Sequence, residues 1–289
     1  MFVRLFLATV LVTAAMMPAA AQQAAQNQQQ PPAAQAPAQQ GSPVAKQPAI
    51  KSKEEMEAIQ AIMNALDPKS RIEAADKLVA DFPDSEWKSF ALQMATISYQ
   101  QLNDFENMMV YGERALEVDP DNIFVLLALA NGLAQKTREF DLDKEEKLRR
   151  ATELANHAIE VLKTAPRPNP RITDEQWEAA KNDFRAQAYE ALGMVAMVRK
   201  DFAKAVEQFK KAIDVGTTPN AGTKVRLAAA LTGAGNYNEA IVTLDDVLGD
   251  PQLNPVIRRI AEAERARAVK LRDIAAAKAK QQQQQQQQQ

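Results

Sequence analysis

The residue types that most often carry covalent or metal chemistry are nearly absent from this chain. It has one histidine, His157, and no cysteine, which excludes thiolate nucleophiles, thiolate metal sites and disulfides. A histidine that acts as a general base or as a ligand needs converging partners. His157 falls at a helical position that would normally face outward, so we expect a solvated side chain.

Carboxylate pairs are the remaining candidates for acid–base chemistry. Glu145/Glu146 and Asp245/Asp246 are adjacent in predicted helices, so the two side chains of each pair diverge, whereas glycoside hydrolysis needs two converging carboxyl groups. No G-x-x-x-x-G-K, G-x-G-x-x-G or G-x-S-x-G string occurs in the sequence. We therefore predict a protein that is not an enzyme and has no catalytic residues, no metal site and no cofactor.

The elements that would position any functional group are predicted to be helices. Hydrophobic residues make up 46% of the chain, and 9 glycines are too few for the turns of an all-β fold. Asp67-Pro68 ends the first apolar helical pattern, and Ser70 and Glu73 have capping-box spacing at the start of the second. The predicted helices lie at about 56–66, 70–82, 86–102, 104–118, 122–136, 143–164, 174–199, 202–215, 221–234, 237–248 and 254–279.

The first 21 residues have the layout of a secretory signal. Arg4 precedes an apolar run that is too short to span a bilayer, and Ala19-Ala20-Ala21 follows as a cleavage site. The absence of cysteine removes the residue on which a bacterial lipid anchor would be built. We expect an exported, soluble protein, periplasmic or secreted, that has no lipid anchor and no stable membrane insertion.

Two segments have low-complexity composition. Residues 22–52 are rich in Gln, Ala and Pro and have too little apolar bulk to repay ordering, so we predict a disordered linker. Residues 281–289 are a polyglutamine tail. The part that can fold is therefore predicted to be 53–280.

Small and large residues recur at fixed spacing within this part. Residues 189–213 read YEALGMVAMVRKDFAKAVEQFKKAI, and the pattern resembles the tetratricopeptide repeat (TPR), which is W-x2-L-G-x2-Y, then A-x3-F, then P. Related sets occur on both sides, over roughly 53–250, although Met108 and Gly112 replace the usual Ala and aromatic residue. The resemblance implies an all-α fold, a right-handed TPR-like α-solenoid of antiparallel helix pairs with a C-terminal capping helix.

Two insertions interrupt the repeats. Residues 137–145 are predicted to loop out of a stretched unit, and the 166–173 insertion precedes a long helix that starts at a Thr173–Gln176 capping box. The insertions are either tolerated loops or a partner-specific ledge. The last helix carries eight basic and three acidic residues from Arg258 to Lys280, either as a solvated face or as a patch for anionic polymers.

The first helix of each pair lines the concave groove in the family that the chain resembles, which implies a groove for a protein or peptide partner. Amides there can pair with a peptide backbone, and methionines adapt to varied side chains. Leu127 stands where some family members place a lysine for C-terminal carboxylates, so that clamp is not expected. The groove positions carried over by repeat register are Phe90, Gln93, Ile97, Gln100, Gln101, Phe124, Leu127, Asn131, Gln135, Gln187, Glu190, Met194 and Met197.

Three functions remain open at this point. The first is a non-catalytic periplasmic scaffold for protein–protein interaction, with cell-envelope assembly as its setting. The second is an accessory subunit or a degenerate hydrolase of envelope polymers, and the third is a structural spacer. The net charge of −2 and the lack of aromatic residues among the basic residues of the last helix disfavour nucleic-acid binding.

Overall fold

The computed structural model describes residues 43–218 and 220–287. The predicted signal segment, most of the predicted linker and the last two glutamines lie outside the described residues. Eleven α-helices follow one another in the described part. They are α1 (Lys53–Asn64), α2 (Pro68–Asp81), α3 (Lys88–Gln101), α4 (Phe105–Val118), α5 (Ile123–Lys136), α6 (Lys144–Thr164), α7 (Asp174–Val198), α8 (Phe202–Val215), α9 (Ala221–Gly233), α10 (Tyr237–Leu248) and α11 (Pro255–Gln287).

The helices pack as successive pairs, from α1 with α2 to α9 with α10, and α11 covers the last pair. Each second helix also contacts the first helix of the following pair, and first helices contact one another, as α3 does with α5 and α5 with α7. Apolar residues from α3 to α11 form one continuous buried cluster. The predicted all-α architecture is confirmed, and a helix lies at each of the eleven predicted places, with differences in bounds.

Three hairpins turn in the same way. The connections α3–α4, α7–α8 and α9–α10 each contain one residue in the left-handed region: Asn103 at φ 57°, Lys200 at φ 62° and Gly235 at φ 83°. An Asp or Asn follows directly, and Asp104 and Asp201 cap the next helix by accepting a backbone N–H bond. In all three pairs, the chain therefore leaves the first helix through the same type of turn.

Two residues of α4, Met108 and Gly112, depart from the repeat pattern, and residues of α5 compensate for both departures. Met108 stands where a small residue is usual, and its Sδ and Cε fill the space beside Gly132, where an added Cβ would come within 2.4 Å of Cε. Gly112 stands where an aromatic ring is usual, and the side chain of Leu129 occupies that space, 2.5 Å from an added Cβ. The large Met108 on α4 thus packs against the small Gly132 on α5, and the small Gly112 on α4 packs against the large Leu129 on α5.

The start of α2 differs from the prediction. The helix begins at Pro68, with the Asp67 carboxylate accepting from the N–H groups of Lys69 and Ser70, so Ser70 is inside the helix and does not cap it. Asp67 at the N-cap and Pro68 at the first helical position are a stronger signal for a helix start than the Ser70–Glu73 spacing. The backbone N–H that proline lacks would have no intrahelical acceptor at this position. The predicted Thr173–Gln176 capping box at the start of α7 is confirmed.

The last helix is longer than predicted. It extends to Gln287 and so includes most of the polyglutamine tail, with Ala261 and Ala268 as its buried residues. Glutamine has a favourable helix propensity, and a helix already nucleated by docking extends at little cost.

Residues 43–51, which we name the strap, lie within the predicted linker and run extended beside the folded part. Val44 forms a parallel bridge with Arg167: the Ala45 N–H donates to the Arg167 carbonyl, and the Arg167 N–H donates to the Pro43 carbonyl, both at 2.8 Å. The low apolar content of the strap predicts that it buries no side chains in the core. Pairing through backbone N–H and C=O groups does not require such burial. The strap therefore reaches the 166–173 insertion without contributing to the apolar core.

Candidate functional site

The first helices of three pairs, α3, α5 and α7, lie side by side, with α5 in contact with both neighbours. Three glutamine side chains project from them as exposed groups: Gln100 on α3, Gln135 on α5 and Gln187 on α7. None of the three makes a side-chain hydrogen bond to another described residue. Each amide therefore keeps a donor and an acceptor free for a ligand.

Four other predicted groove residues already have partners. Gln93 accepts from Asn122 Nδ2 at 3.0 Å, Gln101 accepts from Arg71 at 3.3 Å, and Asn131 donates to the Leu127 carbonyl at 2.9 Å. Glu190 forms an ion pair with Arg226. The bonds of Gln93, Gln101 and Glu190 link neighbouring helices, whereas the Asn131 bond stays within α5, and all four groups are less available to a ligand than the three free amides.

Two predicted groove residues are not on the surface. Leu127 is 3% exposed and Met194 is 9% exposed, and both belong to the apolar core. Their helices, α5 and α7, pack directly together, so a position that the repeat register assigns to the groove can lie in the core between helices. This corrects the prediction at both positions.

Aromatic residues line the N-terminal end of the same face. The ring of Phe124, which is 50% exposed, packs edge-on against Phe184 with centroids 5.2 Å apart. Trp177 packs edge-on against Phe184, with centroids 6.4 Å apart, and donates its indole N–H to the Ala165 carbonyl. Phe90, Ile97 and Met197 are partly buried. The exposed half of Phe124 offers an apolar contact that is rigidly held from behind.

A cavity of about 370 Å³ opens between α7 and α9 on this face. Its volume is within the range of pockets that accept a small ligand or a side chain, about 300–1,000 Å³. Gln187 and Glu190 on its wall are predicted groove residues. The lining comprises Asp183, Ala186, Gln187, Glu190, Ala212, Ile213, Gly216, Thr217, Thr218, Asn220, Thr223 and Lys224.

The charged groups of this cavity are internally paired. The Asp183 carboxylate accepts from the Thr217 N–H and from its hydroxyl, both at 2.8 Å, and so ties the α8–α9 loop to α7. Glu190, whose side chain is 15% exposed, is neutralised by Arg226, and Lys224 lies 2.6 Å from Asp246. The wall therefore presents neutral polar groups and methyl groups, a surface suited to an uncharged peptide segment.

Sequence reasoning missed the contribution of the α8–α9 loop to this cavity. Thr217 and Thr218 lie outside the helices. Carrying groove positions over from the repeat pattern assigns only residues within helices, so it does not include them. The break at Gly216 indicates a loop, but nothing in the sequence shows that Asp183 would bind it.

Among the described residues, the side chains with acid–base potential are mostly engaged in ion pairs. Asp245 pairs with Arg265 and Asp246 with Lys224, so these two adjacent acids diverge as predicted, and Glu145 pairs with Arg199 at 3.0 Å. Hydrogen bonds lower the pKa of every described carboxyl group for which a shift is resolved, among them Asp104, Asp245 and Glu207, the last to about 2 through Lys211 and Lys204. A general acid at neutral pH needs the opposite shift.

His157 is exposed, with its Nε2 lying 2.8 Å from an Asp121 oxygen. Within 43–218 and 220–287, no group of three or more His, Asp or Glu side chains is arranged to hold a metal ion. Over the same ranges, no helix has both the length and the apolar character needed to span a bilayer.

Comparison with known proteins identifies one repeat within the chain. A family model described as tetratricopeptide repeat matches residues 97–122, which contain the end of α3 and all of α4. No curated protein sequence matches the chain.

Two solved structures share the arrangement of helices. One is TTC0263, a thermophilic TPR protein of Thermus thermophilus, with a TM-score of 0.51 and 15% identity over 73% of this chain and 98% of that one. The other is PilF of Pseudomonas aeruginosa, with a TM-score of 0.50 and 17% identity over 75% of this chain and 88% of that one. At these identities the similarity concerns the fold: stacked antiparallel helix pairs forming an α-solenoid.

Proposed function

We propose that this chain, which contains a tetratricopeptide repeat and has the TPR fold, is a non-catalytic scaffold that binds an extended segment of a partner protein. The binding surface is the face formed by α3, α5, α7 and α9. Proteins of this fold generally use that face for protein partners. The signal-like residues 1–21 support a periplasmic setting and, with it, a role in cell-envelope assembly.

The observation that carries this proposal is the combination of three free amides with the cavity beside the last of them. Gln100, Gln135 and Gln187 can each pair with a peptide N–H or C=O without first breaking an internal bond. The cavity between α7 and α9 adds a place for one or two side chains. Free amides without a perturbed acid suit recognition rather than bond cleavage.

The accessory-hydrolase alternative has no comparable support. It requires a carboxyl group held protonated near neutral pH, and the resolved carboxyl pKa shifts of the described residues are all downward. A structural spacer would need no free hydrogen-bonding groups in the groove, so the free amides favour the scaffold over the spacer.

The test replaces Gln100, Gln135 and Gln187 together by Glu. The shape of each side chain is kept, while its donor is lost and three charges are added to the groove. We expect wild-type protein, immobilised and exposed to envelope extract, to retain a partner that this variant loses, with unchanged far-UV circular dichroism.

The control is the triple variant Asn156→Asp, Asn238→Asp and Gln252→Glu, which adds the same charge on second helices and on the α10–α11 loop. All three positions are exposed. Loss of the partner by the groove variant alone supports the proposal. Equal retention by both variants would overturn the assignment of binding to the groove.

A further inference from the structure

The strap pairs with one edge of the folded part, formed by residues 84–86 and 165–168. Besides its bridge to Arg167, the strap places the Gln47 amide 2.7 Å from the Pro168 carbonyl and the Ala49 N–H 2.9 Å from a Glu86 oxygen. The Lys51 ammonium donates to the Asp84 carbonyl. Two loops that are distant in sequence, 82–87 and 165–173, are thus bound by one extended segment.

These two loops lie at the N-terminal ends of α3 and α7, and α5 packs between those helices. Only Pro48 separates Gln47 from Ala49, so the strap passes from one loop to the other within about 7 Å of extended chain. It therefore crosses the end of the groove at which α5 begins, the end that carries Phe124.

Bonds within the insertion itself also hold this edge. The Arg167 guanidinium donates to the Ile172 carbonyl at 3.0 Å and lies 3.4 Å from Asp174, which fixes the Arg167 backbone in place. Pro166 and Pro168 flank Arg167 and have no N–H, so this short strand can pair through Arg167 on one side only. A preformed, one-sided strand edge is the arrangement used in recognition by strand addition.

The strap is held more weakly than the Arg167 segment to which it binds. Its large apolar side chains remain in solvent, with Val44 40% and Ile50 46% exposed. The bonds of Gln47, Ala49 and Lys51 lie at exposed positions, where water can replace them, and only the bridge between Ala45 and Arg167 is half-buried. Segments with few buried apolar contacts and exposed hydrogen bonds open first in a folded protein.

We propose that the edge formed by 84–86 and 165–168 is a docking site for an extended, lysine-bearing segment of the partner, and that the strap holds it closed in cis. The partner segment repeats the chemistry of the strap: a backbone pair for Arg167, an N–H for Glu86 and an ammonium group for the Asp84 carbonyl. This inference rests on the proposed scaffold function and names its regulation. A partner must displace the strap before it can occupy that end of the groove.

The experiment uses the full chain and a labelled peptide of the strap sequence, PVAKQPAIK. The opened variant carries Ala45→Pro and Ala49→Pro, which remove the N–H donors to Arg167 and Glu86. The control variant carries Lys46→Pro and Ile50→Pro, whose N–H groups donate to no other described residue. Binding is measured by fluorescence anisotropy, and the exchange of the Arg167 amide hydrogen is followed in parallel.

We expect the opened variant to bind the peptide at least tenfold more tightly than the wild type or the control variant. Its Arg167 amide should lose protection and regain it when the peptide is added. Equal affinity in all three proteins, absence of binding to the opened variant, or binding that leaves the Arg167 amide exposed would each overturn the proposal.

A second opened variant, Gln47→Ala with Lys51→Ala, removes only side-chain bonds and keeps the test valid if the proline variant loses helix content. Because no partner is used, the outcome is independent of the capture experiment on the groove. A failed peptide result with successful capture would leave the scaffold function standing and remove the strap mechanism alone.

Discussion

The ring of Phe209 on α8 occupies the space that a side chain at Gly193 on α7 would fill. A Cβ added to Gly193 would come within 2.6 Å of Phe209 Cε1, and Phe209 itself is fully buried. The two helices can approach this closely only because one of them has no side chain at the crossing. Gly193 and Phe209 are both positions of the repeat pattern, so the pattern encodes a specific contact.

Gly193→Ala is therefore expected to destabilise the protein. The added methyl group overpacks a rigid ring, at a cost of about 1–3 kcal/mol, while the better helix propensity of alanine returns about 1 kcal/mol. Urea unfolding followed by circular dichroism measures the difference.

The double variant Gly193→Ala, Phe209→Leu tests whether the contact is the cause. Leucine vacates the ring position, so the double variant should be more stable than the sum of the two single changes predicts. Strict additivity would show that the register of α7 against α8 is different.

The turn between α9 and α10 gives a prediction that involves backbone alone. Gly235 has φ 83°, and an added Cβ would meet nothing within 4 Å. Gly235→Ala should cost about 1–2 kcal/mol, because the left-handed conformation is unfavourable for any residue with a Cβ. The thermal unfolding midpoint should fall accordingly.

Gly249→Ala is the matched control for that change. Gly249 has φ −67°, and an added Cβ would lie at ordinary contact distance, 3.4 Å, from two carbonyl oxygens. Alanine fits this conformation, so stability should be unchanged or rise by about 0.4–1 kcal/mol through the unfolded state. Equal losses for Gly235→Ala and Gly249→Ala would contradict the backbone explanation.

The sequence predicts most of the helices because helical periodicity and its interruptions are local. The Thr173–Gln176 capping box gives the start of α7, and the Asn103-Asp104 break gives the α3–α4 turn. Repeat register also places Gln100, Gln135 and Gln187 on a common face, and the structure leaves all three exposed. Whether they bind a partner stays a prediction.

What the sequence does not predict depends on packing between distant segments. Leu127 and Met194 are buried because α5 and α7 close on each other, which register transfer from a regular solenoid does not anticipate. The strap pairs with Arg167 through backbone atoms, which composition does not reveal. The cavity is lined by Asp183 of α7 and by Thr217 of the α8–α9 loop, which are bonded to each other although they are 34 residues apart.

The signal-like N-terminal segment gives a prediction that is independent of the fold. Expression of the full sequence in a bacterium should yield a mature protein that begins near Gln22, since Ala19-Ala20-Ala21 supplies the small residues that signal peptidase requires. N-terminal sequencing of the periplasmic fraction checks this. Recovery of the chain with Met1 retained in the membrane fraction would contradict both cleavage and release.

The pair Asp245–Arg265 gives a pH-dependent prediction for the docking of α11 on α10. The hydrogen bond from Arg265, reinforced by its charge, lowers the pKa of the Asp245 carboxyl group. A lowered folded-state pKa means that the stabilisation is complete above the unfolded-state pKa, about 3.9, and is lost as the pH falls through the lower folded-state value. Asp245→Asn removes the charge at every pH.

The wild type should therefore unfold at a higher urea concentration than Asp245→Asn at pH 7, and the gap should close progressively below about pH 4. Because all other carboxyl groups are common to both proteins, the difference between their urea midpoints isolates this pair. In an Arg265→Gln background, the same Asp245→Asn change should have little effect at any pH. If the gap between wild type and Asp245→Asn persisted unchanged at pH 3, the charge of Asp245 would not be what fastens α11 to α10.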